Sequence, residues 1–223
     1  MTPNLARGCV IAVLGAESTG KTQLAEAIAG RLSRRGIATT FVGEYLREWC
    51  EREARVPRPD EQAAIAAEQT RRIAEAATHG VVVTDTTSLM TAVYSDMLFG
   101  DDSLYADAFA AHRGHALTLL TALDLPWVAD GLQRDGPHVR EPVDAMVRAA
   151  LGRAGVGYSV VHGSGGQRLT NAWNALNLAA QSDPWSSTSA TAPGPATTRR
   201  SCDKCSDPVC EHRLFIDLLA RRA

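Results

Sequence analysis

Four residues in the stretch GAESTGKT have types and a spacing that could handle phosphate: Gly15, Gly20, Lys21 and Thr22. The two glycines let the backbone bend so that the N–H groups of Gly15, Ala16, Glu17, Ser18, Thr19 and Gly20 turn toward one point. The stretch follows the apolar run CVIAVL and leads into QLAEAIAGRL, so this cradle would open a helix whose N-terminus already favours anions. Lys21 would reach the outer phosphates of a nucleotide, and the Thr22 hydroxyl would ligate Mg²⁺. A chance Gly-rich turn would not come with strand, loop and helix in this order. These residues predict a site for the phosphates of a nucleotide with Mg²⁺ and leave open what becomes of the phosphate.

Two carboxylates bear on that question. Asp85 ends the apolar run VVVTD, where a carboxylate can hold Mg²⁺ directly or through water; it could equally cap the helix that follows. Glu44, in FVGEYLREW, sits where a second strand ends, and in an open parallel sheet ligands gather outside the carboxyl ends of the strands. It could orient or deprotonate an acceptor hydroxyl, or serve only as a first-turn helix acid. Arginines supply the charge that phosphoryl transfer needs. The stretch DGLQRDGPHVRE, rich in Gly and charge, reads as a lid offering Arg134 and Arg140 as catalytic cations. Arg47 is a phosphate contact or a surface ion pair, and Arg168, in GGQRLTNAWNAL, stacks on a base or is a solvated helix-start charge.

These residues need a frame. Apolar β-branched runs alternate with amphipathic ones, the pattern of a three-layer α/β sandwich around a mostly parallel five-stranded sheet. Strands are expected at 9–14, 37–42, 81–85, 117–123 and 158–162, and helices at 21–34, 45–54, 60–78, 87–98, 103–113, 141–153 and 167–180. Pro59 and Asp60 open the third helix; Asp60 with Ala63 three residues on is no capping box. The domain is expected to span 1–181. A flexible Ser/Thr/Ala/Pro linker would follow over 182–200, and a Cys/His tail with a short helix over 201–223.

A net charge of −2 over 223 residues, with no basic stripe, argues against nucleic acid as a partner. No apolar run approaches the roughly 20 residues that span a bilayer, and MTPNLARG lacks the apolar stretch of a secretory signal, so no membrane partner and a cytoplasmic location are expected. Cys9 and Cys50 read as small hydrophobes. Cys202, Cys205, Cys210 and His212 supply three thiolates and an imidazole, enough for a tetrahedral Zn²⁺, with a thiolate-held cluster as the second possibility and unligated thiols as the third.

GAESTGKT, GEYLRE, VVTDTTSLMTAVYSDMLFG, LPWVADGLQRDG and GQRLTNAWNAL occur in an order and spacing that resemble the kinase domain of bacterial NadR-type proteins, within the P-loop AAA-type class, from about residue 8 to 180. The resemblance implies an ATP:nicotinamide riboside phosphotransferase of the nucleoside-kinase type, with a small-molecule nucleoside as partner. It implies ATP and Mg²⁺ on Gly15–Thr22, and the riboside between Asp85 and Glu44, one of which takes the 5′-hydroxyl proton. Tyr45, Tyr94, Trp127 and Asp130 are the candidates for contacting the substrate, with core packing as the alternative for the aromatics. It also implies that the helix carrying Arg168 borders the adenine. Where the family carries a lid Arg this chain has Gln133, with Arg134 beside it. NadR-type proteins have a helix-turn-helix and an adenylyltransferase domain ahead of the kinase domain, for which a phosphate loop starting at residue 15 leaves no room; neither activity is expected here. The competing function is a nucleotide-dependent regulatory or switch protein, ATPase- or GTPase-like, with no small-molecule acceptor; the Cys/His tail speaks for it, and no Asn-Lys-x-Asp guanine motif is present.

Overall fold

The computed structural model describes residues 3–128 and 137–181, and within them five strands and seven helices alternate. The strands are β1 (Val10–Leu14), β2 (Thr39–Val42), β3 (Val81–Asp85), β4 (Leu117–Thr121) and β5 (Ser159–Val161). They form one sheet in the order β2-β3-β1-β4-β5, with every pairing parallel. The helices are α1 (Lys21–Ser33), α2 (Tyr45–Glu53), α3 (Pro59–Ala77), α4 (Ser88–Phe99), α5 (Tyr105–His112), α6 (Arg140–Ala154) and α7 (Gly165–Gln181), and a single 3-10 turn, Pro137–Val139, leads into α6.

The unbroken apolar run of β1 has a simple cause: both faces of the sheet are covered. Ile11 and Val13 pack with Leu24, Ile28 and Leu32 of α1 and with Trp173 and Leu176 of α7. On the opposite face Val10 meets Ile73 and Ala76 of α3, and Leu14 meets Leu89 of α4 and Val147 and Leu151 of α6. Each such side chain, once buried, contributes about 1.5–3 kcal/mol. Burial pushes the Cys9 thiol up to about 12, and burial together with the negative charge of Glu44 pushes Cys50 up to about 11, so both are unreactive core residues.

The five strands and seven helices expected within 1–181 all occur, with shifts at their ends, and the short helix expected in the tail lies outside the described residues. The largest physical difference is at the start of α3. Its cap is Arg58, Pro59 is the first helical residue, and the acid that closes the turn is Glu61: its carboxylate accepts the Arg58 N–H at 2.8 Å while Arg55 grips both its oxygens at 2.7 Å. Asp60, the residue singled out from sequence, lies one position too early to make that bond.

α1 carries the chain from β1 toward β2, whereas β4 returns on the other side of β1. The carboxyl ends of β3, β1 and β4 therefore border one crevice, the switch point of an open α/β sheet. The linker 182–200 and the tail bearing Cys202, Cys205, Cys210 and His212 lie outside the described residues. Among the described residues no group of three or more His, Cys, Asp or Glu side chains could hold a metal, and no helix is long and apolar enough to cross a membrane.

Candidate nucleotide and acceptor site

The loop Gly15–Gly20 leaves the end of β1 and enters α1 through left-handed backbone at Ser18 (φ 53°) and Gly20 (φ 73°). Gly15 has φ 147° and no room for a side chain: a Cβ there would stand 2.0 Å from Thr121 Oγ1. Thr121, at the end of β4, donates to the Leu14 carbonyl at 3.1 Å and lies 2.7 Å from Thr19 Oγ1, which itself donates to the Ala16 carbonyl at 2.7 Å. Two buried hydroxyls thus set the loop's curvature. Lys21 is buried, 7% exposed, and its Nζ donates to the Ala16 carbonyl at 2.9 Å, folding the ammonium back along the loop.

Thr22 Oγ1 donates to Asp85 Oδ2 at 2.5 Å, joining the start of α1 to the end of β3. Asp85 is 1% exposed, and its Oδ1 is buried with no hydrogen-bond partner. A buried carboxylate oxygen without a donor is costly, and a hard cation or its water shell would satisfy it. Thr22 and Asp85 therefore fit Mg²⁺. Asp85 does not cap α4. Thr86 adopts φ 66°, rare for a β-branched residue, and this turn delivers Thr87 to the cap, where its Oγ1 accepts the Leu89 N–H at 3.2 Å. The carboxylate is left to the crevice.

Glu44 leaves the end of β2, the neighbour of β3, at the cap position of α2; its side chain makes no capping bond and lies 3.7 Å from Arg47. Arg47 is thus in an ion pair with the candidate base. One residue that sequence did not single out anchors this region. Gln69 of α3, 2% exposed, accepts the Tyr45 N–H at 2.7 Å and donates to the Gly43 carbonyl at 3.2 Å and to Thr84 Oγ1 at 3.3 Å. It bolts the turn that carries Glu44 to the strand that carries Asp85. The signal was available: Gln69 stands midway between Ile65 and Ile73 at helical spacing, a polar residue on the buried stripe of an amphipathic helix.

The aromatic candidates divide. Tyr45 and Tyr94 pack against Leu46, Trp49, Cys50 and Ile65, and the Tyr45 ring lies 4.3 Å from the Arg72 guanidinium, so both take part in packing. Trp127 has a buried indole N–H with no partner among the described residues. Its neighbour Val128 is clipped to the phosphate loop, donating its N–H to Ser18 Oγ at 2.8 Å and accepting from it at 3.0 Å. Asp130 and Arg134, with the rest of 129–136, lie outside the described residues. Arg140, the first residue of α6, is 8% exposed; one Nη donates to the Leu125 carbonyl at 2.9 Å, and Nε and the other Nη are buried without partners among the described residues.

Arg168 is no solvated helix-start charge: it is 5% exposed. Nη2 donates to the Thr19 carbonyl at 2.7 Å and to the Ala122 carbonyl at 3.4 Å, and Nη1 to Asp124 Oδ1 at 2.9 Å and the Gly163 carbonyl at 2.6 Å. Burial alone would raise the Asp124 carboxyl, but the Arg168 hydrogen bond and the Gly163 N–H outweigh it and hold the group below the usual range.

With that geometry in hand, likeness to known proteins can be weighed. A family model described as an AAA domain matches residues 10–168. The fold is that of a NadR protein solved in complex with NR, with a TM-score of 0.65 and 20% identity over 78% of this chain and 52% of that one. A NadR protein with NAD and AMP-PNP matches at TM-score 0.61 and 20% identity, over 78% and 49% of the two chains. The deoxyadenosine kinase from M. mycoides, with products dCMP and a flexible dCDP, matches at TM-score 0.52 and 13% identity, over 76% and 99%. The chain spans about half the length of the two NadR proteins. No curated protein sequence matches it.

Proposed function

The chain belongs to the AAA-domain family, whose model covers residues 10–168, and from that premise we propose that it is an ATP-dependent phosphotransferase acting on nicotinamide riboside or a related nucleoside. The observation that carries this reading is the Thr22–Asp85 contact of 2.5 Å with Asp85 Oδ1 buried and unpartnered, because it sets a metal-ready carboxylate directly against the phosphate loop. Likeness of fold to a protein solved with NR and to a deoxyadenosine kinase supports the choice of acceptor.

In this reading the N–H groups of Gly15–Gly20 and the Lys21 ammonium bind the phosphates of ATP, and Thr22 and Asp85 hold Mg²⁺, which supplies charge neutralisation at the phosphate oxygens when bound. Glu44, at the end of the strand beside β3, orients the acceptor hydroxyl and takes its proton, with the Arg47 guanidinium 3.7 Å away. Arg140 brings unpartnered guanidinium N–H groups on a buried side chain, matched to the charge that spreads over the transferring phosphoryl group. Trp127 offers its ring beside the phosphate-loop rim to the acceptor base.

A coupled assay with purified protein, Mg²⁺-ATP and a panel of nucleosides tests this, with formation of nicotinamide mononucleotide from nicotinamide riboside as the expected outcome. Slow ATP hydrolysis that no nucleoside accelerates would instead favour a nucleotide-dependent switch.

A further inference from the structure

We propose that Arg168 is a positioning residue of the phosphate loop, aiming the Gly20 N–H into the cradle by holding the Thr19 carbonyl from outside, with Asp124 as the countercharge that keeps the guanidinium in place. This rests on the nucleotide reading above and deepens it.

Thr19 C=O and Gly20 N–H belong to one trans peptide and so point in opposite directions. Whatever pins the carbonyl outward therefore turns the N–H inward, toward the phosphates. Arg168 Nη2 does so at 2.7 Å. The same side chain reaches three further groups in two other segments: the Ala122 carbonyl just past β4, Asp124 two residues on, and the Gly163 carbonyl between β5 and α7. Asp124 is fixed in turn by the Gly163 N–H at 2.5 Å. A planar guanidinium with a rigid set of donors suits such a four-way junction, where a lysine would offer only a compact point charge.

Burial also leaves the guanidinium little open face for a base to stack on. With its fork committed to three carbonyls and a carboxylate and only 5% of its surface exposed, Arg168 is set to act on phosphate affinity through Thr19 rather than on the base. Gly20 sits at a left-handed φ of 73°, which glycine adopts without strain, and the Thr19 carbonyl bond fixes the peptide ahead of it in one orientation.

The experiment compares wild type, Arg168→Lys, and the double variant Arg168→Met with Asp124→Asn, which removes the charge pair as a unit and leaves no carboxylate stranded. Binding of Mg²⁺-ATP, of Mg²⁺-tripolyphosphate and of adenosine is measured by titration calorimetry on the full chain. Tripolyphosphate and ATP should weaken together by about tenfold or more in the double variant, while adenosine affinity holds within about twofold, the size expected for losing one charge-assisted hydrogen bond. Arg168→Lys should recover part of the loss; if the double variant does not fold, Arg168→Lys alone carries the test, with a smaller loss in the same two ligands. Lost adenosine binding with tripolyphosphate binding intact would make Arg168 a base-stacking residue. Unchanged affinities in every variant would make it structural only. Either result overturns the proposal. Wild-type protein that binds neither ATP nor tripolyphosphate overturns the nucleotide reading and this inference with it.

Discussion

The two halves of the crevice are built in different ways. On the phosphate side, Thr19, Lys21, Asp85, Thr121 and Arg168 are all buried; Lys21 bonds within the loop to Ala16, while Thr19–Thr121, Thr22–Asp85 and Arg168–Thr19 join elements far apart in sequence. On the acceptor side, Glu44 and Arg47 pair at 3.7 Å with Arg47 38% exposed, Arg72 reaches Glu48 and Glu68 across partly exposed helix faces, and one buried side chain, Gln69, ties the region to the sheet. Buried polar groups tied to one another and to the backbone make a preorganised site, with Asp85 Oδ1 left over for a cation, whereas exposed ion pairs are individually weak and easily rearranged. The phosphate half is therefore largely set in advance, and the half around Glu44 has more freedom to rearrange.

The sharpest way to break that contrast is to remove the charge on the preorganised side. Lys21→Ala should lower turnover by about 10³-fold or more and weaken ATP binding if Lys21 is, as proposed, the cation that reaches the outer phosphates; steady-state kinetics with calorimetry checks it. Asp85→Asn and Glu44→Gln should each lower kcat by roughly 10²–10⁴-fold, with ATP affinity changing far less. Full activity in both variants would remove the proposed base and with it the functional meaning of the acceptor half.

A pH experiment separates the halves by stability. Beneath the phosphate side, His112 Nδ1 meets Thr87 Oγ1 at 3.1 Å and its Nε2 meets Thr118 Oγ1 at 2.9 Å, with the His115 ring 4.6 Å away. Burial, and to a lesser extent His115, lowers His112 to about 3, and burial lowers His115 to about 4. Both folded values lie below that of a free imidazole, so the unfolded chain binds more protons as the pH falls below about 6.5, and stability is lost progressively down to the folded values. By pH 5 the loss should be about 2 kcal/mol per histidine, and thermal unfolding at pH 7.5 and 5 should show a slope that His112→Gln reduces.

Smaller effects belong to the acceptor side. Gln69→Leu leaves the Gly43 carbonyl and the Tyr45 N–H without their partner and should cost about 1–3 kcal/mol. It should also raise the acceptor KM more than the ATP KM, which measures whether Gln69 positions Glu44 or only packs. Arg71→Ala, on the solvent face of α3 beside Glu68 and Glu75, should leave Tm and kinetics unchanged within error.

The same contrast explains what could be read without coordinates. The sheet and helices were legible because VIAVL and VVVTD are buried on both faces and α3 repeats its apolar residues at helical spacing, patterns that lie within one segment of chain. The phosphate loop was legible for the same reason, being eight consecutive residues. What escaped were partners set by topology: Thr121 filling the space beside Gly15, Gln69 bridging two strand ends, and Arg168 reaching back to Thr19. A Thr ending a strand or a Gln in a helix is ordinary locally, and only the strand order makes either one a neighbour of the loop. The cap of Thr87 over Asp85 was likewise hidden, because a left-handed Thr86 is not what its residue type prefers.

The Arg168–Thr19 contact joins residues 149 positions apart, so in time as well as in space it is among the last to be made. At synthesis rates of roughly 5–20 residues per second, some 7–30 seconds separate the emergence of the two residues. Throughout that interval the nascent chain carries the Gly15–Thr22 segment without the side chain that grips Thr19. Tight nucleotide capture should therefore coincide with docking of α7, and a ribosome-bound fragment ending before residue 168 should hold ATP poorly even with its phosphate loop intact.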